Sequence, residues 1–502
     1  MTDPVPAVTP YDQFAYRTLA KPQTHPDRLA TIALLHRMTP RPVTRCRVLE
    51  LGCGDGSNLV PMAYGLPDSE FVGVDLAGIA VAAGRSMIAA LGLRNIVLQH
   101  VDVMDLPATL GTFDYIVAHG LYSWVPDGVR DRILAIFRTH LAPHGVAYVS
   151  YNTYPGCHLR QAVWQILKFH VAGLDDPAER VAQARALARF LGDCPPVDGV
   201  DNAALVGEMR AVLDHSPGLL FHDDLASINT PVYFHQFVSH ARRHGLQFLA
   251  EADLHEMQTH AYPPAVTAQL QKLADGSVVQ REQYLDFVTN RRFRQTLLCR
   301  DDVMLDRTLD PGVIARLYVG SPTQPLAQNP DVVSPTVVEE FRGPRGATMS
   351  TDYPAAKATL LRLGRVWPWM VHFDALVSEV GVHEAEVAAK LRDVLLTAYT
   401  AGFVYLGTHE PPLVLKPGVR PTASPVARLQ VESDAFVTTL THRSVCIEDD
   451  PGRRLLRLMD GTRTREELLE EMRRSVPNST DVTSEGFERT LTQLARFGLL
   501  VA

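Results

Sequence analysis

The sequence predicts an open α/β domain, a mostly parallel sheet with helices on both faces. A mainly helical stretch and two small winged-helix-like modules follow it. Three observations carry this. Between residues 46 and 156, short apolar runs alternate with helical segments of roughly 10–15 residues, the pattern of βαβ units. The first apolar run enters a turn with glycine at 52, 54 and 56. Beyond about residue 157 the alternation stops and helical spacing takes over.

In chain order, a helix is expected from Pro26, where Leu29, Ile32, Ala33 and Leu35 recur at helical spacing and Thr24 or Asp27 can cap. CRVLELGCG reads as a buried strand entering the glycine turn, and SNLVPMAYGL as the helix after it. EFVGVDLA is the second strand, ending at Asp75, and AGIAVAAGRSMIAALG the next helix. NIVLQHVDVMDL is a third strand, ending at Asp102-Val103, and FDYIVAHGLYSW a fourth. VRDRILAIFRTHLAP is a helix and GVAYVSYNTYPG the fifth strand. The expected boundaries are 1–157 for the sheet domain, with 1–45 as a lid, and 158–320 for a mainly helical domain. A Pro-rich linker spans 320–336, and winged-helix-like modules occupy 340–420 and 425–502.

Hydrophobic residues make up 46% of the 502 and charged residues 21%, ordinary for a globular chain. The net charge of −8 excludes an overall basic nucleic-acid footprint. No apolar run reaches the roughly 20 residues of a membrane helix. MTDPVPAVTP has neither the basic nor the apolar region of a secretory signal, so the expectation is a cytoplasmic protein without membrane contact. The cysteines, Cys46, Cys53, Cys157, Cys194, Cys299 and Cys446, form no CxxC pair, which argues against a zinc site or disulfide framework. His240 and His244 share a helix face in SHARRHG, but the glutamate of the zinc-protease motif is missing, and no metal site is expected. The basic run 290–294, NRRFR, reads as a solvated or internally paired face.

The chemistry lies in Glu50-Leu51-Gly52-Cys53-Gly54-Asp55-Gly56, with Asn58 at the start of the next helix. A dinucleotide loop would want its third glycine at 57, which is Ser, and its pyrophosphate would be repelled by Glu50 and Asp55. A zwitterionic amino acid bearing a sulfonium would not be, so the turn favours S-adenosylmethionine over NAD. Asp75 stands about 20 residues past the turn, where its oxygens can accept from both ribose hydroxyls, with Leu76 beside it. Asp102 can accept from the adenine amino group while the Val103 N–H meets a ring nitrogen. His119 closes the fourth strand. Tyr122 and Trp124 after strand four, and Tyr151, Asn152 and Tyr154 after strand five, are the candidate catalytic residues, because aromatic faces attract cations. Methyl transfer needs alignment more than acid–base chemistry, and no residue presents itself as a dedicated base.

These motifs resemble those of class I S-adenosylmethionine-dependent methyltransferases, which implies a Rossmann-like, seven-stranded domain and S-adenosylmethionine as the cofactor, without metal. PQTHPDRLA, HGLYSWVP, SYNTYPG and YLDFVTNRRFRQTLLC narrow the resemblance to bacterial methyltransferases with an attached methyltransferase regulatory domain, among them the rickettsial protein-lysine methyltransferases. Cys157 departs from that branch, where a larger residue, often Trp, follows the YPG turn. The resemblance implies N-methylation of lysine in a protein or peptide substrate. Apart from it, a homodimer is a candidate assembly, with the oligomeric state left open by the sequence. Alternative readings are methylation of a small molecule or natural-product peptide, an RNA methyltransferase, and a non-catalytic cofactor-binding scaffold.

Overall fold

The computed structural model describes residues 9, 11, 14, 16–195, 202–260, 262–475 and 483–501. Its centre is a seven-stranded sheet in the order β3-β2-β1-β4-β5-β7-β6. The strands are β1 Arg47–Leu51, β2 Glu70–Asp75, β3 Ile96–His100, β4 Phe113–Ala118, β5 Leu141–Asn152, β6 Leu246–Glu251 and β7 Phe293–Arg300. β1 to β5 run parallel, and β7 lies antiparallel between β5 and β6. Four of the five β1 residues are buried, as expected of a central strand covered on both faces.

The helices expected between the strands form at Pro26–Leu35, Leu59–Gly65, Gly78–Leu91 and Asp127–His140. The first is capped by His25, whose Nδ1 accepts from the Asp27 N–H, rather than by Thr24 or Asp27. β3 ends at His100, two residues short of expectation. Asp102 is instead the cap of a 3₁₀ turn and accepts from the Met104 N–H at 2.9 Å.

Region 158–320 is rich in helices, yet it also supplies β6 and β7, so the expected boundary at 157 cuts through the sheet. Both strands carry polar residues, Glu251 in β6 and Arg294 and Thr296 in β7, whose partners lie on other elements, so neither shows a clean apolar run or alternation. Arg294 of β7 is fully buried. It donates to Glu251 of β6 at 2.5 Å and twice to Asp286 of helix Val278–Thr289, and it stacks 3.8 Å over the Phe234 ring. The NRRFR run is thus internally paired at its most basic point.

The next module begins earlier than residue 340. Tyr318–Gly320 is the central strand of a small sheet with Val371–His372 and Tyr405–Gly407, packed with helices Pro354–Val366, Phe373–Glu379 and Ala385–Thr400. Its apolar residues join the main core, whereas residues 423–500 form a core of their own, and a third cluster lies among helices 157–225. Part of the expected linker is therefore strand, too short to show alternation. Among the described residues, no helix is long and apolar enough to cross a membrane.

Candidate functional site

The glycine turn leaves β1 with φ values of 73°, 54° and 74° at Gly52, Gly54 and Gly56, a region closed to most side chains. Helix Gly78–Leu91 presses against it: a Cβ at Gly84 would lie 2.3 Å from the Asp55 carbonyl oxygen. Asp75 faces the turn from the end of β2. Its carboxylate accepts from the Gly54 N–H and the Ala77 N–H, both at 2.7 Å, which holds both oxygens in place. A carboxylate has four lone-pair directions, so Asp75 can accept from more donors than these two. Leu76 is exposed, and Asp102 and Val103 are half-buried at the neighbouring strand end.

Glu50 is buried at the base of the turn. Its Oε1 accepts from Asn58 Nδ2 at 2.7 Å, while Oε2 has no protein partner. Burial, with Asp75 and Asp55 nearby, pushes its carboxyl up to about 8. An unpartnered buried carboxylate oxygen beside an open glycine turn suits a ligand ammonium. Asn58, expected to touch the cofactor, is engaged by protein instead. Its Oδ1 accepts from the Lys21 N–H at 2.9 Å and from His442 Nε2 at 3.0 Å, and Nδ2 is committed to Glu50 and Thr24. The Cys53 side chain packs inward, where a Cβ on Gly73 would meet its sulfur at 2.8 Å, so Cys53 can serve a ligand only through its backbone.

Two segments distant in sequence close over the turn. Thr18 donates to Asp55 at 2.5 Å, which brings the N-terminal segment across the glycines. From the C-terminal module, the hairpin Phe436–Thr438/Ser444–Cys446 inserts His442, whose φ of 57° places it in the left-handed region at the hairpin tip. Arg17 ties the two segments together, pairing with Asp434 at 2.8 Å and lying over the Phe436 ring.

The candidate catalytic aromatics divide. Tyr122 and Tyr151 do not line the cleft: both are buried and pack against Phe237, with Tyr122 Oη bonded to His240 and Tyr151 Oη to Thr296. Their polar tips have the partners that tyrosines require, but inside the protein. Trp124 is half-buried in the 3₁₀ turn Tyr122–Trp124. Tyr154 is half-buried and stacks on His158 at 4.1 Å, against helix Cys157–His170. The Cys157 thiol donates to the Arg292 carbonyl at 3.1 Å. Asn152 donates to the Asn229 side chain at 2.9 Å, at the point where 229–233 pairs with the end of β5. His119 contacts Tyr148 Oη at 2.9 Å, and burial, reinforced by Lys21, takes its imidazole down to about 3, so it is neutral.

Sequence reasoning missed a second carboxylate. Asp223 lies in a π-helical turn, Leu220–Asp224, a geometry frequent at functional sites. Tyr11, Tyr16 and Lys21 lie within electrostatic reach of Asp223, and Tyr11 within reach of Asp75 as well. Tyr11 stacks on His222 at 4.3 Å and Tyr16 meets the same ring edge-on. Burial and the adjacent Asp224 push the Asp223 carboxyl up to about 7. The adjacent acids of FHDDL were the one available signal.

Sheet order, an acid-flanked glycine turn and carboxylates at successive strand ends define the class: an S-adenosylmethionine-dependent methyltransferase. Comparison with known proteins narrows it. Residues 48–145 match the family described as "Methyltransferase domain", 216–300 "Predicted methyltransferase regulatory domain", and 420–495 "PKMT, C-terminal winged helix domain". An uncharacterized protein of Rickettsia prowazekii (strain Madrid E) is 31% identical over 478 residues, covering 92% of this chain and 85% of its own. A second from the same organism is 32% identical over 240 residues, 48% of this chain and 96% of its own. The structure of PKMT2 from Rickettsia typhi matches with a TM-score of 0.87 and 26% identity, covering 97% of this chain and 100% of that chain. Its complex with AdoHcy matches at 0.85 and 25%, with the same coverage. The chain belongs to this family of class I methyltransferases with a regulatory domain and a PKMT-type C-terminal winged helix, and its cofactor is S-adenosylmethionine.

Proposed function

We propose that the enzyme N-methylates lysine side chains of a protein substrate. The observation that carries this reading is the end-to-end likeness to PKMT2, regulatory and winged-helix regions included. When bound, the cofactor supplies an electrophilic methyl group on a sulfonium. In this reading Glu50 Oε2 receives the cofactor's ammonium, Asp75 its ribose hydroxyls, and Asp102 with the Val103 N–H its adenine. Asn58 orients Glu50 through the Nδ2–Oε1 bond. Leu76 and His119 border the cofactor.

A lysine ε-ammonium, with a pKa of about 10.4, must lose a proton before it can attack. Asp223 is the proposed acceptor, because a carboxyl held near 7 is well matched to proton transfer at neutral pH. Tyr11 and Tyr16 offer aromatic faces to the incoming cation and help exclude water, and Asn152, Trp124 and Tyr154 border the substrate entrance. In this assignment residues 16–25 close over the glycine turn, and the regions beyond the sheet select and seat the protein substrate.

Incubation with methyl-labelled S-adenosylmethionine and a lysate, followed by mass spectrometry, is expected to place label on protein lysines. Label confined to small molecules would overturn the lysine reading. Asp223→Asn is expected to lower turnover about 10²-fold and remove the rise of turnover with pH through about 7. An unchanged pH profile would remove Asp223 from the mechanism.

A further inference from the structure

Outside the cleft, three metal-ligating side chains meet at the surface between the sheet domain and the regulatory region. Asp131 lies on helix Asp127–His140, His240 in the last turn of helix Phe234–Arg243, and His244 at that helix's C-cap. His244 Nε2 stands 2.8 Å and His240 Nε2 3.3 Å from the same Asp131 oxygen, and the three ligand atoms lie within 4.8 Å of one another. Among the described residues this is the one such group of histidine, cysteine or carboxylate side chains.

We propose that Asp131, His240 and His244 form a binding site for a divalent transition metal of the zinc or cobalt class, clamping helix 127–140 to helix 234–243. Two imidazoles and one carboxylate suit these ions rather than magnesium or calcium. Ligand atoms about 2.0–2.1 Å from a tetrahedral ion stand roughly 3.3 Å apart. The His240–Asp131 distance already has that value, and the His244–Asp131 pair needs to open by about half an ångström, which the 63%-exposed Asp131 side chain permits.

The surroundings fit as well. The His240 Nδ1 is held by Tyr122 Oη at 2.8 Å. A histidine bound to metal through Nε2 carries its proton on Nδ1 and needs an acceptor there, and a tyrosine hydroxyl can accept as readily as donate. Arg243, in the last turn of the same helix, opposes a cation there. A helix C-terminus favours positive charge. A groove of about 720 Å³, lined by Tyr122, Asp127, Asp131, His240 and Arg243 among others, opens beside the triad and leaves room for a fourth, exchangeable ligand. The sequence could not show this site, because its third ligand is 113 positions from His244.

The test is titration of the full-length, chelator-treated protein with Co²⁺ and with Zn²⁺, followed by calorimetry, cobalt absorption and thermal unfolding. The expected result is one equivalent bound, a d–d spectrum without a thiolate charge-transfer band, and a metal-dependent rise in Tm. His244→Ala and Asp131→Asn alter partly exposed side chains, and are expected to abolish binding while the metal-free Tm and cofactor affinity stay as in wild type. Tyr122→Phe is expected to weaken binding about tenfold. Absence of binding at millimolar Co²⁺, a thiolate band, or binding undiminished in His244→Ala and Asp131→Asn would each overturn the proposal.

Discussion

Glu50→Gln separates the folding role of this carboxyl from its binding role. In the ligand-free fold the Glu50 carboxyl is pushed up to about 8, from an ordinary 4.5, chiefly by burial. A raised carboxyl contributes stability that is fully present below about pH 4.5 and is lost as pH rises towards 8, because the unfolded chain releases the proton first. With those two values, the folded state loses about 3 kcal/mol through this one group between pH 5 and pH 8, at 1.36 kcal/mol per unit. Glutamine cannot ionise, so the variant escapes that loss. Its amide, set where Oε2 has no partner, costs about 1–3 kcal/mol at every pH. The variant is therefore expected to be about as stable as wild type or weaker at pH 5, and to gain about 3 kcal/mol relative to wild type by pH 8. Urea unfolding of both proteins at the two pH values, without cofactor, measures this. S-adenosylhomocysteine added in excess should reverse the order at pH 8, since the ligand ammonium stabilises only the wild-type carboxylate. A stability difference that does not change between pH 5 and pH 8 would refute the protonated Glu50. Equal affinity of the two proteins for S-adenosylhomocysteine would refute its pairing with the ligand.

Other perturbations address neighbouring parts of the argument. Asp75→Ala is expected to weaken cofactor binding by about 1–3 kcal/mol, read by calorimetry on folded protein, and unchanged affinity would remove the ribose role. His442→Ala takes one donor from Asn58 and slackens the Glu50 carboxyl at second hand, so S-adenosylhomocysteine should bind about fivefold more weakly, with Gln restoring part of the loss. No change would make the C-terminal hairpin a bystander. Arg294→Met leaves the buried Glu251 without its cation and Asp286 with Arg291 alone, and is expected to cost about 3–5 kcal/mol in denaturant melts. A variant as stable as wild type would refute the dependence of those buried acids on Arg294.

The first five strands were legible because a parallel strand in a helix-covered sheet reads as a mostly apolar run, and the first two end at a glycine turn and at an acid. Glu50, Asp55 and Asp75 could be read for the same reason: carboxylates beside a glycine turn are costly unless a ligand or backbone donor meets them. β6 and β7 were not legible. Arg294 and Thr296 point into a polar core whose satisfying partners, Glu251 and Asp286, sit on other elements. Tyr122 and Tyr151 misled because a polar ring tip demands a partner without saying where that partner is. Asn58 misled in the opposite way, since its position after the turn suggested a ligand and its bonds go to Lys21 and His442. Lys21 and His442 reach Asn58 only through tertiary contacts, and local periodicity cannot register a residue 384 positions away.

The His442–Asn58 bond also sets a timetable. A ribosome adds roughly 5–20 residues per second, so the last contact around the glycine turn is made about 20–80 s after the turn itself emerges. Throughout that interval the α/β half can fold while its pocket still lacks one wall. A nascent chain stalled before the hairpin would be compact but poor at holding S-adenosylmethionine, and the pocket would be complete only once the hairpin has emerged.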